Sequence, residues 1–245
     1  MRKVLRIILL LLLLTGPAFL FSTLVHQKKI ILNHPSTRKY PVRGIDVSRY
    51  QGKINWQKIS KQKITFAFIK ATEGSNHIDD KFSYNWKKAL DTDLKIGAYH
   101  FFSFDSPGKS QAKNFISTVN KVEGMMPPVI DVEFYGNKAK NLPDPKAVKR
   151  ELQVLLNDLE ENYGKKPIIY ATLKSYHLYI KAYFSDYPIW IRNVYYPPNI
   201  DLKNKWTFWQ YTDQQILEGY ESDQKYIDMN VFNGDENDFE SFFMK

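Results

Sequence analysis

Apolar positions along the chain follow two rhythms, short runs and longer amphipathic stretches. Runs rich in β-branched and aromatic residues occupy 44–48 (GIDVS), 64–71 (ITFAFIKA), 95–102 (KIGAYHFF), 128–133 (PVIDVE), 167–172 (PIIYAT), 188–193 (PIWIRN), 206–212 (WTFWQYT) and 226–232 (YIDMNVF). Runs of this length and makeup predict eight strands. Helical spacing recurs between the first five, at 80–92, 108–121 and 144–163, the last placing Val148, Leu152, Leu155, Leu156 and Leu159 on one face. Such alternation predicts a parallel sheet, and eight strands match a closed TIM-type β/α barrel. The gaps at 194–205 and 213–225 hold Pro197, Pro198 and mostly polar residues. The expected fold is therefore an irregular α/β barrel with helices missing in its last third, with an open doubly wound sheet as the alternative.

Ahead of this pattern, Ile7 to Val25 form 19 uncharged positions behind a basic start of Arg2, Lys3 and Arg6. Residues 1–27 are expected to be a membrane anchor or a signal peptide. Gly16 and Ala18 offer a cleavage site after Ala18, while the length of the run favours a retained anchor. Either way the bulk of the chain is expected outside the cytoplasm. Residues 28–42 are polar and basic, contain two prolines and read as a linker, leaving 43–245 as the catalytic domain.

The formal charge of +9 does not signal a nucleic-acid partner. Seven Lys/Arg and no Asp/Glu lie in residues 1–42, which leaves +2 for residues 43–245. With no cysteine there is neither a disulfide nor a thiolate metal site. The five histidines lack metal-ligand spacing, so no metal or cofactor is expected, and a monomer is. Serine or cysteine nucleophile chemistry has no support, since G-x-S-x-G and Cys are both missing.

Four acidic residues sit inside apolar strands: Asp46 in the first, Asp131 and Glu133 at the end of the fourth, and Asp228 in the eighth. Barrel enzymes carry their chemistry at the C-terminal strand ends. Two positions apart on one strand, Asp131 and Glu133 share a face with Cα atoms about 7 Å apart. Like charges that close raise one pKa, which keeps a general acid protonated beside an ionised partner. Glycoside hydrolysis needs that division of labour. A turn cap or ion pair explains an isolated D-x-E equally well, and acids on two further strands weigh against that explanation. Glu73 fits an ion pair better than an acid role. His100 suits either a sugar contact or a hydrogen-bonded rim position. Aromatics make up 15% of the chain, and several flank the acids, including Tyr50, Tyr135, Tyr195, Tyr196 and Tyr211. Their rings suit stacking on sugars or filling a core.

Together GIDVSRYQG, FAFIKATEG, GAYHFF, PPVIDVE, PIIYAT, PIWIRN, FWQYT and DMNVF resemble, in order, the family 25 glycoside hydrolases, from Arg43 to about Phe232. The resemblance implies a β/α barrel lacking some helices that acts as a lysozyme (N-acetylmuramidase). Its substrate would be the β-1,4 bond between N-acetylmuramic acid and N-acetylglucosamine in peptidoglycan. It further implies Glu133 as general acid, Asp131 orienting the substrate acetamide for retention, and Asp46 and Asp228 as the remaining acids. Tyr99, Tyr170 and Trp209 would line the groove, with His100 and Trp190 as further substrate-binding candidates. Arg192 and Asn193 depart from the small and aromatic residues usual there. Three alternatives stand beside this: a catalytically idle glycan-binding module, a chitinase-like or N-acetylglucosaminidase barrel, and a membrane-anchored structural protein without hydrolysis.

Overall fold

The computed structural model describes residues 15–25, 27, 30–199, 205–222 and 224–244. All eight expected strands form: β1 (Arg43–Val47), β2 (Phe66–Glu73), β4 (Lys95–Phe101), β5 (Val129–Val132), β6 (Ile168–Thr172), β7 (Ile189–Arg192), β8 (Phe208–Gln215) and β9 (Ile227–Phe232). A two-residue strand, β3 (His77–Ile78), adds a hairpin on β2. The order β1-β9-β8-β7-β6-β5-β4-β2 closes through β1–β2 pairing into a barrel. It is not all parallel as expected, because β9 runs antiparallel to both β1 and β8.

Alternate strand residues sort into two cores, as a period of two requires. Phe66, Phe68, Val129, Ile168, Trp190, Phe208 and Phe232 fill the barrel interior. Ile45, Ile69, Ile96, Ile130, Ile169 and Ile191 face the outer layer. Glycine makes room for the interior rings. A Cβ on Gly44 would lie 2.3 Å from the Phe66 ring, and one on Gly97 2.8 Å from Phe68.

Helices form where the spacing predicts them, at Phe82–Leu90, Gly108–Thr118 and Pro145–Tyr163. The last has clear stop and start signals. Asp144 caps its N-terminus by accepting from Lys146 N and Ala147 N, proline occupies the first turn, and Gly164 ends it in the left-handed region at φ 68°. The β7–β8 and β8–β9 connections carry no long amphipathic helix among the described residues. A C-terminal helix (Glu236–Met244) was not legible in the pattern. Its Phe239 and Phe242 pack on Phe208 and Phe232 and close the end of the barrel opposite the acidic residues.

The N-terminal segment is described only in part. Residues 15–25 are helical, with Phe19, Leu20 and Phe21 exposed, and no described helix is long and apolar enough to cross a membrane. Residues 7–14 of the apolar run lie outside the described residues. The expected linker is docked rather than free over residues 30–42. Asn33, Tyr40 and Val42 are buried, and Asn33 Nδ2 donates to the carbonyls of Asn193 and Tyr211. Tyr40 packs against Trp206 and Trp209.

Candidate active site

Inward-facing residues at the C-terminal ends of the parallel strands surround a cavity of about 290 Å³. Asp46, Asp131, Glu133 and Asp228 all line it. Asp228 reaches this end because β9 is antiparallel, so a residue near its start lies level with Asp46 near the end of β1. Asp46 Oδ2 accepts from Gln210 Nε2 at 2.9 Å and Asn230 Nδ2 at 2.8 Å. Those amides are themselves held: Tyr170 OH donates to Gln210 Oε1 at 3.0 Å and Trp190 Nε1 to Asn230 Oδ1 at 2.8 Å. Asp131 is buried, and its Oδ1 accepts no hydrogen bond.

Burial is the leading cause that raises all four carboxyls above the ordinary range. The charge of Glu133 pushes Asp131 further up, and that of Asp46 does the same to Asp228. Arg192 opposes the rise at Glu133. The expectation that Asp131's charge raises Glu133 is therefore corrected: burial of Glu133 comes first, and the mutual repulsion is felt at Asp131. Burial still holds the Glu133 carboxyl above the usual carboxylate range.

Tyr99, Tyr170 and Trp190 line the cavity. His100 and Trp209 do not, and strand parity explains both. Tyr99 and Phe101 face in, so His100 faces out, where it is fully buried. Gln111 Nε2 donates to the carbonyls of Ser103 and Ser106, which fixes its Oε1 as acceptor from His100 Nε2; Nδ1 then accepts from Thr72 Oγ1 at 2.7 Å. Trp209, between inward Phe208 and Gln210, donates to the Asn193 carbonyl in the outer aromatic layer. Glu73 pairs with Lys70 at 2.8 Å, as its ion-pair assignment implies.

Several lining residues carried no sequence signal. Lys70, Gln210, Asp213 and Gln224 line the cavity, and Arg192, noted only as a departure, lines it too. Arg192 Nη2 bonds Asp213 Oδ2 at 3.0 Å. Among the described residues no group of three or more His, Asp or Glu side chains is placed to hold a metal.

Four carboxyls, two buried and two half-buried, at the C-terminal mouth of an aromatic-lined barrel define the chain's class as a glycoside hydrolase. Comparison with known proteins fixes the family: the model for "Glycosyl hydrolases family 25" matches residues 45–220, and the chain belongs to that family. A family 25 glycosyl hydrolase structure from Bacillus anthracis superposes with a TM-score of 0.81 at 50% identity, covering 86% of this chain and 97% of that one. The chain is also 37% identical to YegX of Escherichia coli O157:H7, over 83% of its length and 74% of that protein's. Identity to Lysozyme M1 of Streptomyces globisporus is 32%, over 79% of this chain and 68% of that one. Asp228 lies beyond the matched residues, so its place in the site rests on the geometry.

Proposed function

We propose that this enzyme is a peptidoglycan N-acetylmuramidase that cleaves the β-1,4 bond between N-acetylmuramic acid and N-acetylglucosamine. One observation carries the mechanism: Asp131 is buried beside Glu133 with an oxygen that accepts no hydrogen bond. A buried carboxyl oxygen in that state is open to an N–H donor, and an acetamide next to the reacting carbon supplies one. Asp131 then orients the acetamide so that its oxygen attacks C1, while Glu133 gives its proton to the leaving glycosidic oxygen. The resulting oxazolinium ion is opened by water, which loses its proton to Glu133, so configuration is retained. Asp46, opposite Asp228 across β1 and β9, keeps the ring-binding wall in place with Gln210 and Asn230.

The Lysozyme M1 name supports the substrate class. Proton NMR of the first-formed product is the test. The β anomer should appear before mutarotation, and Asp131→Asn should cripple turnover while leaving glycan binding intact. The α anomer first, or a glycosyl ester trapped on Asp131, would replace this mechanism. A protein that bound glycan and released no reducing ends would instead be the idle module, a reading that four retained carboxyls weigh against.

We further propose that the chain acts as a monomer outside the cytoplasm, held to the membrane through its N-terminal apolar run. Full-length protein should sediment with membranes, resist high salt and dissolve in detergent. A soluble mature form starting near Phe19 would overturn retention.

A further inference from the structure

The Arg192–Asp213 ion pair forms the shared wall of two cavities. One is the catalytic cavity. The other, of about 260 Å³, lies between the β7–β8 rim and the docked N-terminal segment, and Ile30, Leu32, Tyr195 and Gln214 line it. Two polar groups are left unused there. A guanidinium carries five N–H donors in a fixed fork, and among the described residues Arg192 hydrogen-bonds only to Asp213. Gln214 Oε1 is buried and accepts no hydrogen bond.

A ligand matching this cavity offers an anionic or carbonyl oxygen to the fork, an N–H to Gln214 and small apolar groups to Ile30 and Leu32. A neutral N-acetylated glycan offers an amide N–H, a carbonyl and a methyl, but no anion for the fork. A short peptide has all three: amide N–H groups, carbonyl and carboxylate oxygens, and methyl side chains. Peptidoglycan carries such a peptide on the lactyl group of the sugar whose bond is cut, next to the catalytic cavity.

We propose that Arg192 and Gln214 form a subsite for the peptide stem, so that the enzyme cuts stem-bearing glycan in preference to bare glycan. This rests on the peptidoglycan reading above. The test compares kcat/KM for soluble strands with their stems and for the same strands stripped by an amidase, using the full chain in detergent. The wild type should favour stem-bearing strands at least tenfold, mainly through KM. Arg192→Ala and Gln214→Leu should each bring the ratio toward one, with Arg192→Lys, which keeps charge without the fork, in between. Because the ratio is taken on one protein at one pH, any effect of Arg192 on the proton of Glu133 cancels. Stripping exposes the lactyl carboxylate, so equal or faster cutting of stripped strands by the wild type would assign the fork to that group and overturn the subsite. A ratio unchanged in both Arg192→Ala and Gln214→Leu would also overturn it. A wild type that cut neither substrate would overturn the peptidoglycan reading, and the subsite with it.

Discussion

Glu133 stands at the end of β5, half-buried among carboxyls, with Arg192 as the opposing charge. Glu133→Gln preserves shape but has no proton to give, so kcat should fall by about 10² or more. KM should change little, since contacts to the resting sugar remain. Steady-state kinetics on peptidoglycan checks this, and near-normal turnover would move the acid elsewhere. Asp46 and Asp228 face each other across β1 and β9, both raised by burial. For a carboxyl raised in the folded state, the stabilising contribution is present below the unfolded value of about 4 and lost as pH climbs through the folded value. Asp228→Asn should therefore stabilise the fold at pH 7, with the gain fading as pH falls to about 4, the unfolded value. Thermal unfolding at the two pH values measures it, and a variant no more stable at pH 7 contradicts it. His100 has the opposite linkage. Its pKa is lowered from 6.5 to about 4 by burial. The folded state binds fewer protons between those values, so stability present above pH 6.5 is lost as pH falls, by about 3 kcal/mol in all. His100→Gln should flatten that acid limb in denaturant titrations, and an unchanged slope would refute it. Asp131 and Glu133 were legible because carboxyls two apart in an apolar strand are costly without a purpose. Gln210 and Asn230 were not, because neutral amides advertise no chemistry until their partner Asp46 is seen.

At the scale of elements, alternation located every barrel strand, since β-branched runs bounded by polar turns leave few other options. Direction was harder. An all-parallel barrel would place Asp228, near the start of its strand, at the end remote from Glu133. Its recruitment to the site follows from the antiparallel entry of β9, which hydrophobic pattern cannot encode. Parity was available and unused: with Tyr99 inward, His100 must face the helix layer, and with Gln210 inward so must Trp209. The apolar spacing of the C-terminal helix, Phe239, Phe242 and Phe243, spans only five residues, too few to register as a helical pattern; among the described residues its fully buried ring is Phe239. That ring sits against Phe66, Phe208 and Phe232 at the closed end of the barrel. Phe239→Ala should cost about 3–5 kcal/mol of stability, with kcat at low temperature unchanged because the cavity lies at the opposite end. Urea unfolding and kinetics at 15 °C, taken together, check both halves.

For the whole molecule, the docked segment over residues 30–42 joins whatever precedes it to the rim of the catalytic mouth, so it belongs to the enzyme as much as the barrel does. Sequence suggested a tether there because polar and basic residues dominate it. Tyr40 and Val42 are too few to register as a pattern, yet they are what anchors it. The barrel, its cavity and the family together make this chain a glycoside hydrolase, and the bond it cuts is the central claim. Mass spectrometry of purified peptidoglycan digested by the full chain tests that claim most directly. Fragments ending in reducing N-acetylmuramic acid are the predicted result, and fragments ending in reducing N-acetylglucosamine would contradict it.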